Sequence, residues 1–415
     1  MVWQGKRPGD CEGAFFERGR RRRSRLLAIG AAFTLTAALG ACTGGQEERE
    51  GRSSTRGSSE KSPTKNPDKP SDDPAPGSAS LTSSAECFGR SVTVVGTAGP
   101  DRFVGGPKPD VFLTLGGDDR ITNVGDRDRV CAGGGDDRVV TLNGGPDSRV
   151  DLGAGNDTFI GVTYFLIGGT GADRLHVRTT THVQPGRGRD LIVAKPVRDP
   201  YNAACISYTH GTRGIVADLA RGWVRGEGRD RVRGVQCLYG TQFADRITGS
   251  PRDDLLHLCK DWGSRSDRAR NIVRAGAGDD LVEACSGDEL VHLGDGNDEF
   301  MGGEGEDFVF GGPGVDHIRG LGGSDHLEGG DGNDQVNGTF YCDLGSSAGN
   351  GMGDASHNQV YGGNGDDQVT GDLAGDVLDG GPGLDNGYGG PPGREGPDVI
   401  ISVEQRTSCP WPAAP

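Results

Sequence analysis

The chain alternates short apolar and polar stretches with a period of nine residues. In the first such stretch an acidic residue recurs every ninth position, and an apolar residue follows two positions later. The acidic positions are Asp101, Asp110, Asp119, Asp128 and Asp137, and their apolar partners are Phe103, Phe112, Ile121, Val130 and Val139. The same spacing returns over residues 280–336 and 358–385. A single apolar position between polar neighbours, repeated at this interval, predicts strands of about three residues separated by tight turns.

Such strands can be stacked into one continuous body. The middle side chain of each strand would point into a core and its two neighbours outward. Two repeats would then form one coil of about 18 residues, and parallel stacking of the coils would bury one file of apolar residues per sheet. The pattern therefore predicts an all-β fold, a parallel β-solenoid.

The turns between these strands are rich in glycine. Complete examples begin with Gly302-Gly303-Glu304-Gly305-Glu306-Asp307-Phe308-Val309 and recur at residues 311–318, 329–336 and 362–369. They resemble the haemolysin-type calcium-binding (RTX) repeat, GGxGxDxUx with U apolar. The resemblance covers most of residues 86–390. It implies a right-handed parallel β-roll with several Ca²⁺ ions between stacked turns. Residues 206–247 resemble the longer insertion unit found between such repeats, which implies longer coils there.

The residue types themselves favour calcium. Glycines at the first, second and fourth positions permit positive φ, which gives a tight turn with converging carbonyl groups. Stacking would place Asp298, Asp316 and Asp334 in one column, and Asp307 and Asp325 in another. Carboxylates one strand spacing apart, about 4.8 Å, repel by roughly 3 to 4 kcal/mol at an effective dielectric near 20. A column of oxygen ligands in an adaptable loop suits Ca²⁺ better than Mg²⁺ or zinc.

One acidic residue of each repeat is the candidate ligand. The alternative for each is an acid that only caps its turn, above all in the first block, where several turn glycines are replaced. The candidates are Asp101, Asp110, Asp119, Asp137, Asp157, Asp245, Asp254, Asp280, Asp298, Asp307, Asp316, Asp325, Asp334, Asp367, Asp376 and Asp385.

The N-terminus predicts export. A cluster of arginines precedes the apolar run Leu26 to Gly40, which is typical of a signal peptide and too short for a stable membrane span. Leu39-Gly40-Ala41-Cys42 resembles a bacterial lipobox, which implies a lipid on Cys42; plain secretory cleavage is the alternative. We expect an extracellular protein that is lipid-anchored at the bacterial cell surface, or secreted, and that meets the membrane only through this anchor.

Composition sets the domain organisation. We predict a signal peptide at 1–41, a disordered Ser/Pro-rich tether at 42–85, a first repeat block with an N-terminal cap at 86–160, an irregular region at 161–274, the main repeat block at 275–390 and a C-terminal cap at 391–415. With 76 glycines and 33% hydrophobic residues among 415, a large conventional core is excluded. The net charge of −16 disfavours nucleic acid as a partner.

Eight cysteines remain beyond the leader and the lipobox. An even number outside the cell indicates disulfide bonds. From their positions we predict the pairs Cys87 with Cys131, Cys205 with Cys237, Cys259 with Cys285, and Cys342 with Cys409.

The sequence contains no HExxH, GxSxG or Walker motif, so we expect no catalytic residues and no enzyme activity. One alternative is a polysaccharide-acting enzyme that uses paired acids among Asp190, Asp199, Asp218 and Asp230. A stronger alternative is an adhesin or a module that binds cell-surface glycan on a calcium-stabilised stalk.

A few further side chains could contact such a partner. Arg102, Arg120 and Arg138 follow the acid at 18-residue intervals and should form an outward ladder, which would either pair with nearby acids or bind an anion such as an acidic glycan. Trp223, Trp262 and Phe308 could form a sugar platform, although packing in the core or a cap is the expectation. A metal cluster of His292, His317 and His326 is not expected, because they lie on different faces.

Overall fold

The computed structural model describes residues 85–141, 147–178, 181–258, 269–338, 357–371, 375–389 and 398–406. The predicted signal peptide, the lipidation site Cys42 and nearly all of the predicted tether lie outside these residues. So do Cys259, Cys342, Cys409 and Trp262.

Two long sheets run along the protein, and the described chain alternates between them. The sheet named here sheet 1 contains 16 strands within the described residues. They are Val94–Val95, Val111–Leu113, Arg129–Cys131, Arg149–Asp151, Phe165–Ile167, His182–Gln184, Cys205–Ser207, Cys237–Tyr239, Leu255–His257, Leu281–Glu283, Glu299–Glu304, His317–Gly322, Gln335–Asn337, Gln368–Thr370, Asn386–Tyr388 and Gln405–Arg406.

The opposite sheet, sheet 2, begins at Arg102 and ends at Ile401. Its strands are Arg102–Val104, Arg120–Thr122, Arg138–Val140, Thr158–Gly161, Arg174–Val177, Leu191–Ala194, Val216–Asp218, Trp223–Arg225, Arg229–Arg233, Arg246–Thr248, Ile272–Ala277, Leu290–Asp295, Phe308–Pro313, His326–Asp331, Gln359–Asn364, Val377–Asp379 and Val399–Ile401. Glu86–Cys87 and Arg90–Ser91 form a separate antiparallel pair, and Thr170–Gly171 pairs in parallel with Arg187–Gly188. A 3₁₀ turn spans Pro200–Asn202.

The coils stack in parallel with an 18-residue period in the regular blocks. Arg102 lies opposite Arg120, and Arg120 lies opposite Arg138. Val291 and Val309 of the main block are paired in the same way. The predicted parallel β-solenoid is thus confirmed.

The core consists of the middle residue of each short strand. Val130, Val139, Val309 and Ile318 are fully buried, and they belong to one hydrophobic cluster that runs through both sheets. The residues on either side of each middle position are mostly half-buried or exposed. Because each coil contributes only about one apolar residue per sheet, burial of apolar surface gives each coil little stabilisation, and the turns must supply the rest.

The region predicted as irregular continues both sheets with coils of unequal length. Leu191–Ala194 pairs in parallel with Arg229–Arg233, so the chain between them leaves the regular winding. Within that excursion Trp223–Arg225 pairs antiparallel with both Val216–Asp218 and Arg229–Arg233. On its other side, Val216–Asp218 pairs in parallel with Arg246–Thr248, which continues the regular stack. The expected longer coils are present, together with a local strand reversal that the repeat pattern did not predict.

Two of the predicted disulfides are confirmed. Cys87 is bonded to Cys131, which ties the N-terminal antiparallel pair to sheet 1, and Cys205 is bonded to Cys237 on the neighbouring strand. Cys285 is also disulfide-bonded. Its predicted pairing with Cys259, and that of Cys342 with Cys409, fall on residues outside the described set and stay predictions. No helix within the described ranges is long and apolar enough to cross a membrane.

Candidate metal centre

The predicted acidic residues lie in two files, one at the start of each sheet's strands. The file preceding sheet 1, named here ladder 1, contains Asp110, Asp128, Asp254, Asp280, Asp298, Asp316, Asp334, Asp367 and Asp385. The file preceding sheet 2, named ladder 2, contains Asp101, Asp119, Asp137, Asp157, Asp173, Asp190, Asp230, Asp245, Glu289, Asp307, Asp325, Asp376 and Asp398, with Asn271 and Asn358 at two positions. The two predicted columns are therefore real.

Within each ladder a carboxylate binds the backbone of the preceding coil. The backbone N–H of Asp298 donates to Oδ1 of Asp316 at 2.9 Å, and that of Asp316 donates to Oδ1 of Asp334 at 2.9 Å. In ladder 2 the N–H of Asp307 donates to Oδ1 of Asp325 at 3.0 Å. Each ladder acid thus satisfies a buried N–H of the neighbouring coil, which stabilises the stack without any ion.

The second carboxylate oxygen of most ladder acids has a different environment from the first. It is buried and accepts no hydrogen bond from the described residues. This holds for Oδ2 of Asp119, Asp137, Asp157, Asp173, Asp280, Asp298, Asp316, Asp334, Asp367 and Asp385. A buried charged oxygen without a partner is costly, so each requires a proton or a cation.

A backbone carbonyl faces the same place. A Cβ atom placed on Gly311 would lie 2.4 Å from Oδ2 of Asp316 and 2.2 Å from the carbonyl oxygen of Gly329, one coil later. The equivalent Cβ on Gly362 would lie 2.5 Å from Oδ2 of Asp367 and 2.5 Å from the carbonyl oxygen of Gly380. A carboxylate and a carbonyl oxygen therefore converge beside the first glycine of these turns, and such hard oxygen donors fit calcium.

This geometry corrects the predicted role of the first glycine. Gly312 and Gly314, at the second and fourth positions, have φ of 118° and 150°, as expected. Gly311, at the first position, is outside the positive-φ region, and it must be glycine because a side chain would enter the space beside the carboxylate. The prediction of positive φ was wrong for this position.

Burial dominates the electrostatics of the ladders. Removal from water raises the pKa of Asp316 to about 7, and its negative neighbour Asp298 adds to the rise, while the hydrogen bond from the Asp298 backbone opposes it. Burial likewise raises the pKa of Asp334 to about 7 and that of Asp280 to about 8. Repulsion within the column, which the sequence suggested as the main cost, ranks below burial in each case.

Some predicted ligands lie in turns that the protein caps itself. Oδ2 of Asp101 accepts from the N–H of Thr97 at 2.6 Å, that of Asp110 from Gly106 at 2.7 Å and that of Asp245 from Thr241 at 2.7 Å. Asp254 binds Ser250 in the same manner. These are the turn-capping arrangements weighed as the alternative, and calcium ligation by these four residues stays a prediction.

Several ladder members were not among the predicted ligands. Asp128 accepts from the N–H of Asp110 at 2.8 Å, and Asp173 from that of Asp157 at 2.8 Å. Asp173 belongs to a complete motif, Gly168-Gly169-Thr170-Gly171-Ala172-Asp173-Arg174-Leu175, and lies 36 residues after Asp137, which is four periods of nine. Both the nine-residue spacing and the glycine pattern could have found it.

Two of the acids considered for catalysis, Asp190 and Asp230, lie next to each other, and the other two have different partners. Asp190 and Asp230 are adjacent members of ladder 2, and Oδ2 of Asp230 accepts from the Tyr208 hydroxyl at 2.8 Å. Asp199 caps the 3₁₀ turn, and Asp218 lies 3.1 Å from the Arg221 guanidinium.

No three His, Cys, Asp or Glu side chains in the described ranges form a cluster that could hold a metal ion. His292 stacks on Phe310 at 4.8 Å between ring centres, and Nε2 of His326 lies 2.9 Å from Oε1 of Glu328.

The sequence matches the model of the RTX calcium-binding nonapeptide repeat (4 copies) over residues 95–130, 267–300, 286–318, 310–339 and 352–390. The matched segments coincide with the regular parts of both ladders. The protein is a haemolysin-type RTX repeat protein. Residues 131–266 of this RTX protein lie between the matched segments, although ladder 2 passes through them as far as Asp245. No curated protein matches the chain.

Proposed function

We propose that this RTX protein is an extracellular calcium-binding solenoid whose folding and ion binding are one equilibrium. The observation that supports this most directly is the file of buried Oδ2 atoms without a hydrogen-bond donor, beside a converging backbone carbonyl. Asp298, Asp316, Asp334 and Asp367 of ladder 1, with Asp307 of ladder 2, would hold the ions of the main block. Calcium would neutralise these carboxylates, which otherwise must be protonated to remain buried.

Coupling to folding follows from the architecture. Each ligand set combines atoms of two neighbouring coils, so it does not exist in the unfolded chain. The core contributes about one apolar side chain per strand, and the many glycines lose much conformational entropy on folding. Ion binding therefore supplies a large part of the folding free energy.

The proposed location rests on the sequence of the leader. RTX repeats are typical of secreted proteins, and disulfides such as Cys205–Cys237 persist in oxidising compartments. In this proposal Cys42 carries a lipid and residues 43–84 tether the solenoid to the cell surface. The protein has a binding role and no catalytic role, in line with the ladder and capping positions of the acids considered for catalysis.

The test is a Ca²⁺ titration of the mature chain followed by far-UV circular dichroism, with Mg²⁺ as control, in the reduced and oxidised protein. We expect a cooperative gain of β signal at about 10⁻⁴ to 10⁻³ M Ca²⁺, the range typical of extracellular calcium modules, and little response to Mg²⁺. Full β signal of the reduced protein in chelator, unchanged by millimolar Ca²⁺, would refute the coupling.

A further inference from the structure

The outer face of sheet 2 is strongly basic between Arg102 and Arg274, although the whole chain has a net charge of −16. Arginines occupy outward positions on most strands of this half of the sheet. They are Arg102, Arg120, Arg138, Arg174, Arg225, Arg229, Arg231, Arg233, Arg246 and Arg274. All are exposed except Arg138, which is half-buried. This set of residues is called the arginine face below.

The arginines are aligned in register along the solenoid. Arg102, Arg120 and Arg138 lie side by side on consecutive strands, as the sequence predicted. After Thr158 the same row continues with Arg174 and, two strands later, Arg231. Arg102, Arg120 and Arg138 are therefore one strand spacing apart, about 4.8 Å, and the later members of the row are two spacings apart.

Acids do not neutralise this face. None of its ten guanidinium groups lies within 4.0 Å of a carboxylate in the described residues. The one acid at an outward position of these strands, Asp218, is paired with Arg221. The expected pairing of Arg102, Arg120 and Arg138 with neighbouring acids is thus absent, and the other interpretation, an anion site, gains support.

An aromatic residue lies within the arginine face. Trp223 is half-buried, its backbone is paired with that of Arg231, and the Arg225 guanidinium lies 4.7 Å from its ring centre. The expectation for this residue was packing in the core or a cap, and Trp223 is not part of the core. A partly exposed ring beside several guanidinium groups offers an apolar contact next to anion-binding groups.

We propose that the arginine face binds an acidic polysaccharide that lies along the solenoid axis. Guanidinium groups bind carboxylate, sulfate and phosphate groups in bidentate fashion. Their row, with members one or two strand spacings apart, matches an extended polymer that carries anionic groups along its length, and the Trp223 ring contacts the faces of sugar units. This function goes beyond calcium binding, although calcium assists it by neutralising the carboxylates of ladder 2 that precede the same strands.

The test uses the Ca²⁺-loaded mature chain at 0.15 M NaCl, with dextran sulfate as the probe and uncharged dextran of the same length as the control polymer. We expect binding to dextran sulfate only. Arg102→Gln, Arg120→Gln and Arg138→Gln together should weaken binding by about tenfold, because each exposed ion pair contributes modestly. The matched control removes three exposed charges elsewhere, with Lys108→Gln, Arg198→Gln and Arg252→Gln, and should leave the affinity nearly unchanged.

Trp223→Ala separates a sugar contact from charge alone. It should lower the affinity without changing its dependence on salt, whereas the arginine variant should flatten that dependence. The proposal is overturned if both triple variants lose affinity equally, if Trp223→Ala binds as the wild type does, or if a DNA duplex or phosphatidylglycerol vesicles bind more tightly than dextran sulfate. Unchanged Ca²⁺-dependent circular dichroism of every variant keeps these outcomes independent of the calcium function.

Discussion

Substitution of Asp316 separates the two tasks that its carboxylate performs. Oδ1 accepts the backbone N–H of Asp298 at 2.9 Å, whereas Oδ2 is buried and accepts no hydrogen bond. Asp316→Asn keeps an acceptor for the Asp298 N–H and removes the charge. Asp316→Ala removes both. The chain itself contains the neutral version, because Asn358 accepts the N–H of Asp325 at 3.0 Å in ladder 2.

The two variants should differ in stability without calcium, whereas both should need more calcium to fold. In calcium-free buffer at pH 8, Asp316→Ala leaves a buried N–H unsatisfied, which costs about 1 to 3 kcal/mol, or roughly a 5- to 150-fold change in the ratio of folded to unfolded protein. Asp316→Asn should be at least as stable as the wild type, because burial opposes the charge of this carboxyl. Both variants should raise the midpoint of the calcium response, by roughly tenfold if one charged ligand is lost.

The β signal in calcium-free buffer, which reports the ratio of folded to unfolded protein, and its rise in a Ca²⁺ titration measure the two effects by circular dichroism. Asp295→Asn is the matched control, because it makes the same chemical change at an exposed position of the same block. A wild-type calcium midpoint for Asp316→Asn would show that this carboxylate is not a ligand. Equal calcium-free stability of the Ala and Asn variants would show that the ladder hydrogen bond contributes nothing.

Three further outcomes are expected. Gly311→Ala should abolish the calcium response of the main block in the same titration, since its Cβ would meet Oδ2 of Asp316. Gly322→Ala is the control: its Cβ would have no atom nearer than 3.4 Å, so the calcium response should stay intact. The calcium-free solenoid should be most stable below about pH 4 and lose stability as the pH rises through 6 to 8, because burial raises the pKa values of its ladder acids above those of the unfolded chain. Thermal unfolding at a series of pH values measures this loss, and the loss should disappear when Ca²⁺ is present. Cys42→Ser should move the protein from the membrane fraction to the medium, as judged by immunoblotting, and a mutant that stays in the membrane fraction would contradict the lipid anchor.

The nine-residue period was sufficient to predict the coil, the two carboxylate columns and the buried middle residues. Strand alternation and stacking follow from spacing alone, so the sequence places Asp298, Asp316 and Asp334 in one file. The period is broken at Asp157, which lies 20 residues after Asp137, but it is regained at Asp173, which lies 36 residues after Asp137 with its glycine motif intact and which the prediction missed. It also could not reveal the hydrogen bond from the backbone of one Asp to the side chain of the next, which depends on atomic register between coils.

The antiparallel excursion was equally hidden. Trp223–Arg225 inserts between two strands that a uniform solenoid would pair directly, and no local pattern marks the reversal. Because Trp223 belongs to this antiparallel strand, it lies on the outer face of sheet 2 and not in a core. The sequence predicted an anion site on this face only in part, through the 18-residue spacing of Arg102, Arg120 and Arg138.

The Cys205–Cys237 bond has a consequence for a protein pulled from its ends. A stacked coil under tension unwinds one turn after another, and each turn lengthens the chain as it is released. The disulfide joins adjacent strands of sheet 1 with a sequence separation of 32, so the whole excursion between them is enclosed in a covalent loop. At about 3.5 Å per residue, roughly 110 Å of contour length cannot be drawn out while the bond is intact. Under mechanical load the region that carries Trp223 would therefore not extend, even after the calcium turns on either side had opened.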